Sequence, residues 1–206
     1  MSRDRQILDT AAALFYEKGF HGVGVDEIGE RVGISGPALY RHFSGKDEIL
    51  ATLFNEAMDE LISGTAAVYD DPHRDLERLI RHHVDFAISH RHLVSVYQRE
   101  DRSLAEMWRK HFDRRMRQYA SRWEAALARC YPDASPPRIA AGTQAAIGLI
   151  HSVAYWPVKV VKGDDDLPGL MCRLVTQGLT SLEAPVASPQ DAGDTVAAAG
   201  GAGRRR

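Results

Sequence analysis

The sequence predicts an all-α protein in which a three-helix N-terminal domain precedes a larger helical C-terminal domain. Three observations carry that prediction. Apolar residues recur at three- and four-residue intervals along most of the chain, and no internal repeat or strand-like alternation stands out. Gly and Pro clusters punctuate those runs at spacings that suit helix ends. Residues 33–50, Gly-Ile-Ser-Gly-Pro-Ala-Leu-Tyr-Arg-His-Phe-Ser-Gly-Lys-Asp-Glu-Ile-Leu, read as the second half of a helix-turn-helix and the start of a supporting helix. A chain of 206 residues with 44% hydrophobic content can bury one sizeable core or two small ones.

The first helix is expected over residues 3–18, where Ile7, Leu8, Ala11, Leu14 and Phe15 form one apolar stripe. Gly19 ends it, and Gly22 and Gly24 loosen the connection. A second helix over 25–32 turns Val25, Ile28 and Val32 inward, and Gly33 supplies the turn that follows. Ser35 can cap the next short helix, with Pro37 in its first turn, where a missing N–H costs nothing. Leu39 and Phe43 point inward, which leaves Pro37, Tyr40, Arg41 and His42 for another surface. An apolar back with a face of Tyr, Arg and His suits a DNA groove. A longer amphipathic helix over 46–62 closes this unit, with Ile49, Leu50, Leu53, Phe54, Ala57, Leu61 and Ile62 apolar.

The order Ala-Leu-Phe-Tyr-Glu-Lys-Gly-Phe, Val-Asp-Glu-Ile-Gly, Gly-Ile-Ser and Leu-Tyr-Arg-His-Phe, with Lys46 three residues on, resembles the TetR family of bacterial transcriptional regulators. The resemblance covers roughly the first 60 residues and rests on many positions at fixed spacing. It implies a homodimer with an N-terminal DNA-binding domain and a C-terminal domain that holds a small effector. By the same resemblance, Ser35, Pro37, Tyr40, His42 and Lys46 match DNA-contacting positions. Tyr40, His42 and Lys46 would hold the phosphate backbone, while Gly36, Pro37, Ala38 and Arg41 would face base edges. Gly24 departs from the family, which often has Thr there. It can still cap, at a cost of a few tenths of a kcal/mol, but a hydroxyl contact to phosphate is gone.

Charge does not make the DNA argument. The chain carries a net −2, and residues 1–62 hold six Lys and Arg against eleven Asp and Glu, a net of −5. That balance predicts weak sequence-independent binding and reliance on paired, operator-like sites. A purely architectural DNA-binding protein would be more basic. No apolar run is long enough to span a bilayer, and Ser2-Arg3-Asp4-Arg5-Gln6 does not open a signal peptide. Cys130 and Cys172 make no disulfide framework. The expected location is the cytoplasm, with no membrane partner.

The C-terminal domain, 63–183, is expected to hold helices over 73–89, 93–99, 103–130, 138–161 and 167–182. Trp108, Phe112, Tyr119 and Trp123 form an aromatic stripe on the third of these. The fourth carries Ala140, Ala141, Gly142, Ala145, Ala146 and Gly148, small residues that allow close helix approach. The last repeats Leu167, Leu170, Met171, Leu174, Val175, Leu179 and Leu182. Two such helices from each of two subunits would make a four-helix dimer bundle. Its two recognition helices, about 34–36 Å apart, would read a pseudo-palindromic operator.

Candidate effector-lining residues are Phe86, with His82 or His83, then Trp108, Phe112 and Trp123, then Ile147, His151, Tyr155 and Trp156. A hydrophobic or acyl-type ligand, such as a fatty acid or its coenzyme A thioester, fits apolar walls. Arg109, Lys110, Arg114, Arg115, Arg117 and Arg122 could meet its phosphates or form a solvated face. His73, His82, His83, His90, His92 and His111 crowd the middle of the chain, yet no pair has i, i+4 ligand spacing, so no metal and no cofactor are expected. The alternatives are a DNA-binding protein without an effector, or a helical His-containing enzyme, although no nucleophile motif, phosphate loop or zinc signature is present. Residues 184–206, rich in Ala, Gly, Ser, Pro and Asp, are expected to be a disordered tail. The mechanism expected is an allosteric repressor. Ligand would move the 73–89 helix against the 46–62 helix and spread the two reading heads.

Overall fold

The computed structural model describes residues 2–183, and the tail at 184–206 lies outside them. Ser2 starts α1 (Arg3–Lys18) by accepting the N–H of Arg5, 3.2 Å away, and Gly19 at φ 75° ends it. Then come α2 (Val25–Arg31), α3 (Gly36–Leu39) and α4 (Lys46–Gly64). Gly33, at φ 73°, makes the left-handed turn between α2 and α3 that a side chain would strain. Ile7, Leu14, Phe15, Ile28, Leu39, Ile49 and Leu50 are fully buried among these four helices. Each such side chain contributes about 1.5–3 kcal/mol relative to exposure.

The C-terminal helices are α5 (Pro72–Ser89), α6 (Arg91–Glu100), α7 (Glu106–Cys130), α8 (Pro136–His151), α9 (Val158–Val161) and α10 (Leu167–Leu179). Asp71 caps α5 by accepting from the backbone N–H of His73 at 2.9 Å and Arg74 at 3.2 Å. Trp123, Leu79, Ile80, Leu127, Ile150 and Met171 continue the same core among these helices. Asp75, buried on α5, accepts from Arg122 at 2.6 Å and Arg129 at 3.2 Å on α7, which locks the two helices. Among the described residues there is no strand, and no helix is long and apolar enough to cross a membrane.

Two element expectations need correction. The helix expected over 138–161 is broken. α8 stops at His151, a 3-10 turn spans Ser152–Tyr155, and only α9 resumes beyond Pro157. Pro157 lacks an N–H and bars the helical region to the residue before it, so Trp156 is extended at φ −70°, ψ 143°. The helix expected from 103 begins at Glu106, because Asp101–Ser103 form a separate 3-10 turn.

The two halves meet along α1 and α6. Tyr16 stacks on His92 with ring centroids 4.0 Å apart, and Arg99 donates to the Tyr16 carbonyl at 3.0 Å. Glu100 accepts the Phe20 N–H at 3.1 Å. A second seam joins α4 to α7, where Arg115 donates to Asp59 at 2.5 Å.

Candidate nucleic-acid interface and effector cavity

The candidate reading helix of the N-terminal domain is short. Ser35 caps α3 by accepting the N–H of Ala38 at 3.3 Å, with Pro37 in the first turn. Regular helix ends at Leu39. The Arg41 and His42 N–H groups then bond three residues back, to Ala38 at 3.2 Å and Leu39 at 2.8 Å, which tightens the last turn. Leu39 and Phe43 are buried, while Tyr40, 56% exposed, stands out with Pro37 and Arg41. Among the described residues Arg41 has no ion-pair or hydrogen-bond partner, so its guanidinium is available to a ligand. Gly24 caps α2 through its backbone alone, and nothing lies within 4 Å of where a Cβ would stand.

Gly36 and Lys46 do not take the places expected of them. Gly36 is buried, and a Cβ there would fall 2.2 Å from the Asp26 carboxylate, so it faces α2 rather than base edges. Lys46 turns inward. Its ammonium donates to the Phe20 and Val23 carbonyls, both at 3.0 Å, and lies 4.5 Å from the Phe20 ring centroid. It ties the α1–α2 connection to the start of α4. His42 stays exposed, with its Nδ1 2.6 Å from Asp4 Oδ1 on α1.

Between the halves lies a cavity of about 370 Å³, toward the small end of small-molecule sites. Of the candidate effector residues, Phe86, Phe112, Ile147 and His151 line it, with His83. Trp108, Trp123 and Tyr155 do not. Trp123 is fully buried one turn beyond Tyr119, with its ring 5.7 Å from that of His83, so it backs the wall rather than lining it. Trp108, half-buried, lies before the cavity-lining stretch of α7, and Tyr155 is 59% exposed because the break at Pro157 carries it to the surface. The sequence reading missed α4 and α6. Phe54, Met58 and Leu61 of α4 form one wall, and Leu93, Val94 and Tyr97 of α6 another. Phe54, Tyr97 and Phe112 form an aromatic cluster with centroids 5.5–5.7 Å apart.

The polar groups in this wall are few. His83 of α5 lies 3.0 Å from His151 of α8 (Nε2 to Nε2), and its Nδ1 is 3.1 Å from the Tyr119 hydroxyl of α7. Burial, and then the neighbouring His151 and His82, push the His83 pKa well down, while burial takes His151 down to about 4. Burial pushes Tyr119 up. Three neutral groups therefore stand in an apolar wall at neutral pH. Among the described residues no three His, Cys, Asp or Glu are grouped to hold a metal ion.

The α7 cations are mostly spent inside the protein. Arg109 caps three carbonyls, of Asp101, Arg102 and Leu104, Arg115 reaches Asp59, and Arg122 serves Asp75. Arg117 is exposed where α7 meets the cavity. On the opposite flank, α8 and α10 expose Leu149 and Leu174 beside a groove lined by Ala141, Gly142, Ala145 and Gly178.

Two family models match: the N-terminal domain of bacterial regulatory proteins of the tetR family over residues 7–53, and a tetracyclin repressor-like C-terminal domain over 69–157. The chain belongs to the TetR family. The transcriptional activator FasR of Mycolicibacterium smegmatis is 42% identical over 62 residues, 30% of this chain and 28% of FasR. The transcriptional repressor KstR2 of Mycobacterium tuberculosis is 32% identical over 130 residues, 61% of this chain and 65% of KstR2. The matches thus span less than two thirds of either relative. AibR, solved with isovaleryl coenzyme A and operator DNA, shares the fold at TM-score 0.73 and 21% identity, covering 85% of this chain and 97% of AibR.

Proposed function

We propose that this TetR-family chain is a cytoplasmic, ligand-responsive transcriptional repressor without enzymatic activity, working as a homodimer on a pseudo-palindromic operator. Residues 1–62 are the reading head and 63–183 the effector and dimerisation domain. The observation that carries this reading is α4. One helix packs against α1 of the N-terminal domain, buries Ile49 and Leu50 in the shared core, and lines the cavity through Phe54, Met58 and Leu61. A ligand in that cavity therefore touches the head's own support.

Pro37, Ala38, Tyr40 and Arg41 form the reading face, with Arg41 as its base-reading cation. Ser35 and Gly24 bring the N-termini of α3 and α2 toward phosphate, where helix N–H groups favour anions. His42 adds a backbone contact once it exchanges Asp4 for phosphate. The exposed α8–α10 face, with its small residues, supplies the two-fold interface. Ligand entry would press α4 from one side and α6 from the other. Since α6 holds α1 through Arg99 and Glu100, both supports of the head shift together.

An acyl-type effector is favoured by the apolar walls and by AibR, whose solved complex holds an acyl coenzyme A. The test has two stages. A random duplex pool selected on the protein should yield a pseudo-palindrome. A panel of fatty acids, acyl-coenzyme A thioesters and ketosteroids should contain a compound that raises the melting temperature, since ligand at 100 times its dissociation constant adds about 2.7 kcal/mol. That compound should release the selected duplex. A non-palindromic selection would remove the dimeric-operator reading, and a flat panel would favour a regulator without an effector of these classes.

A further inference from the structure

Resting on the effector-cavity reading above, we infer that the cavity takes a ligand carrying a carbonyl acceptor, of a ketone, ester or thioester. That carbonyl accepts from His151 Nδ1–H, and Tyr119 and His83 are positioning residues that hold this proton in place. The argument follows one chain of hydrogen bonds. Tyr119 is only 2% exposed, and a buried phenol must place its single proton on an acceptor. Among the described residues the acceptor in reach is His83 Nδ1, at 3.1 Å. His83 then carries its proton on Nε2.

That N–H faces His151 Nε2 at 3.0 Å, and two N–H groups cannot face each other. His151 Nε2 must therefore be the lone pair, which puts the His151 proton on Nδ1. Among the described residues His151 Nδ1 has no partner, and it is not one of the fully enclosed polar atoms. His151 is one of the residues that line the cavity. An N–H donor in a wall of Phe54, Met58, Phe86, Phe112 and Ile147 selects for an acceptor on an otherwise apolar ligand.

Burial keeps both imidazoles neutral, so the donor is an N–H rather than a cation, and Arg117 is the cation in the cavity lining. An alkylammonium would bring only donors. The volume of about 370 Å³ is toward the small end of small-molecule sites. A larger polar extension would leave past the exposed Gln144 and Arg117.

The test uses the full chain in two arms. In ¹⁵N spectra of the imidazole rings, wild-type His151 should show the Nδ1–H tautomer, and Tyr119→Phe should mix its tautomers, because His83 Nδ1 loses its donor. A wild-type His151 protonated on Nε2 would overturn the inference. In calorimetric titrations with 2-octanone, octane and octylamine, the ketone should bind wild type about tenfold tighter than the alkane. That advantage should vanish in His151→Phe and shrink in Tyr119→Phe, each first shown by circular dichroism to be folded. Equal binding of ketone and alkane to wild type would sink the carbonyl assignment and leave the cavity reading intact. If none of the three binds while the selected operator still does, the cavity reading falls and this inference with it.

Discussion

Lys46 lies in the motif where a DNA-contacting cation is expected, yet two of its donors serve the protein's own carbonyls. Replacing it with Ala should leave the Phe20 and Val23 carbonyls short of a charged donor and cost about 1.5–3 kcal/mol. Urea unfolding of Lys46→Ala would check this, and an unchanged midpoint would return Lys46 to the DNA surface. Arg41 is the opposite case. Arg41→Ala should leave stability untouched while removing about 1–3 kcal/mol of discrimination at one operator position, read by competition between single-base variants of the selected duplex. Spacing alone shows which residues face away from the core, so Tyr40 and Arg41 were legible. It does not show what an outward Lys finds within reach, because the loop carbonyls at 20 and 23 arrive from elsewhere in the chain.

At the scale of elements, the helix-turn-helix depends on close backbone approach between α2 and α3. A Cβ at Gly29 would fall 2.9 Å from the Ile34 carbonyl oxygen, a backbone atom that cannot rotate away. Gly29→Ala should therefore destabilise the domain by about 1–3 kcal/mol and weaken operator binding with it. Melting curves and operator titrations on the variant would check both. α1, α4, α5, α7 and α10 could be placed from the sequence because each shows a continuous 3.6-residue apolar period. The break after His151 escaped that reading, since apolar residues continue through Val153, Tyr155 and Val158 on either side of Pro157. The cavity was only half legible for a related reason. A stripe shows which face turns inward, as for Phe86 and Phe112. It does not distinguish side chains that meet a neighbour, like Trp123, from those that meet a gap, like Phe54 and Tyr97.

The whole molecule stores a pH dependence in its buried histidines. His83 and His151 are held neutral by burial, with His151 down to about 4 from 6.5. Between those values the unfolded chain binds protons that the folded chain refuses. The His151 contribution is thus fully present above pH 6.5 and is lost as pH falls toward 4, and His83, also pushed down, acts in the same direction. His151 alone should account for about 3 kcal/mol across that window. Chemical unfolding at pH 7 and pH 4.5 should show a smaller loss in His151→Phe than in wild type, and parallel losses would contradict the neutral pair.

The coupling of cavity to reading head through α4 is the central claim, and reciprocity tests it most directly. The panel compound that most raises the melting temperature would be titrated into free protein and into protein saturated with the selected operator duplex. Operator affinity would be measured with and without that compound. The account predicts that DNA weakens ligand binding by the same factor by which ligand weakens DNA binding. A ligand that binds the free and the DNA-bound protein with equal affinity would contradict it.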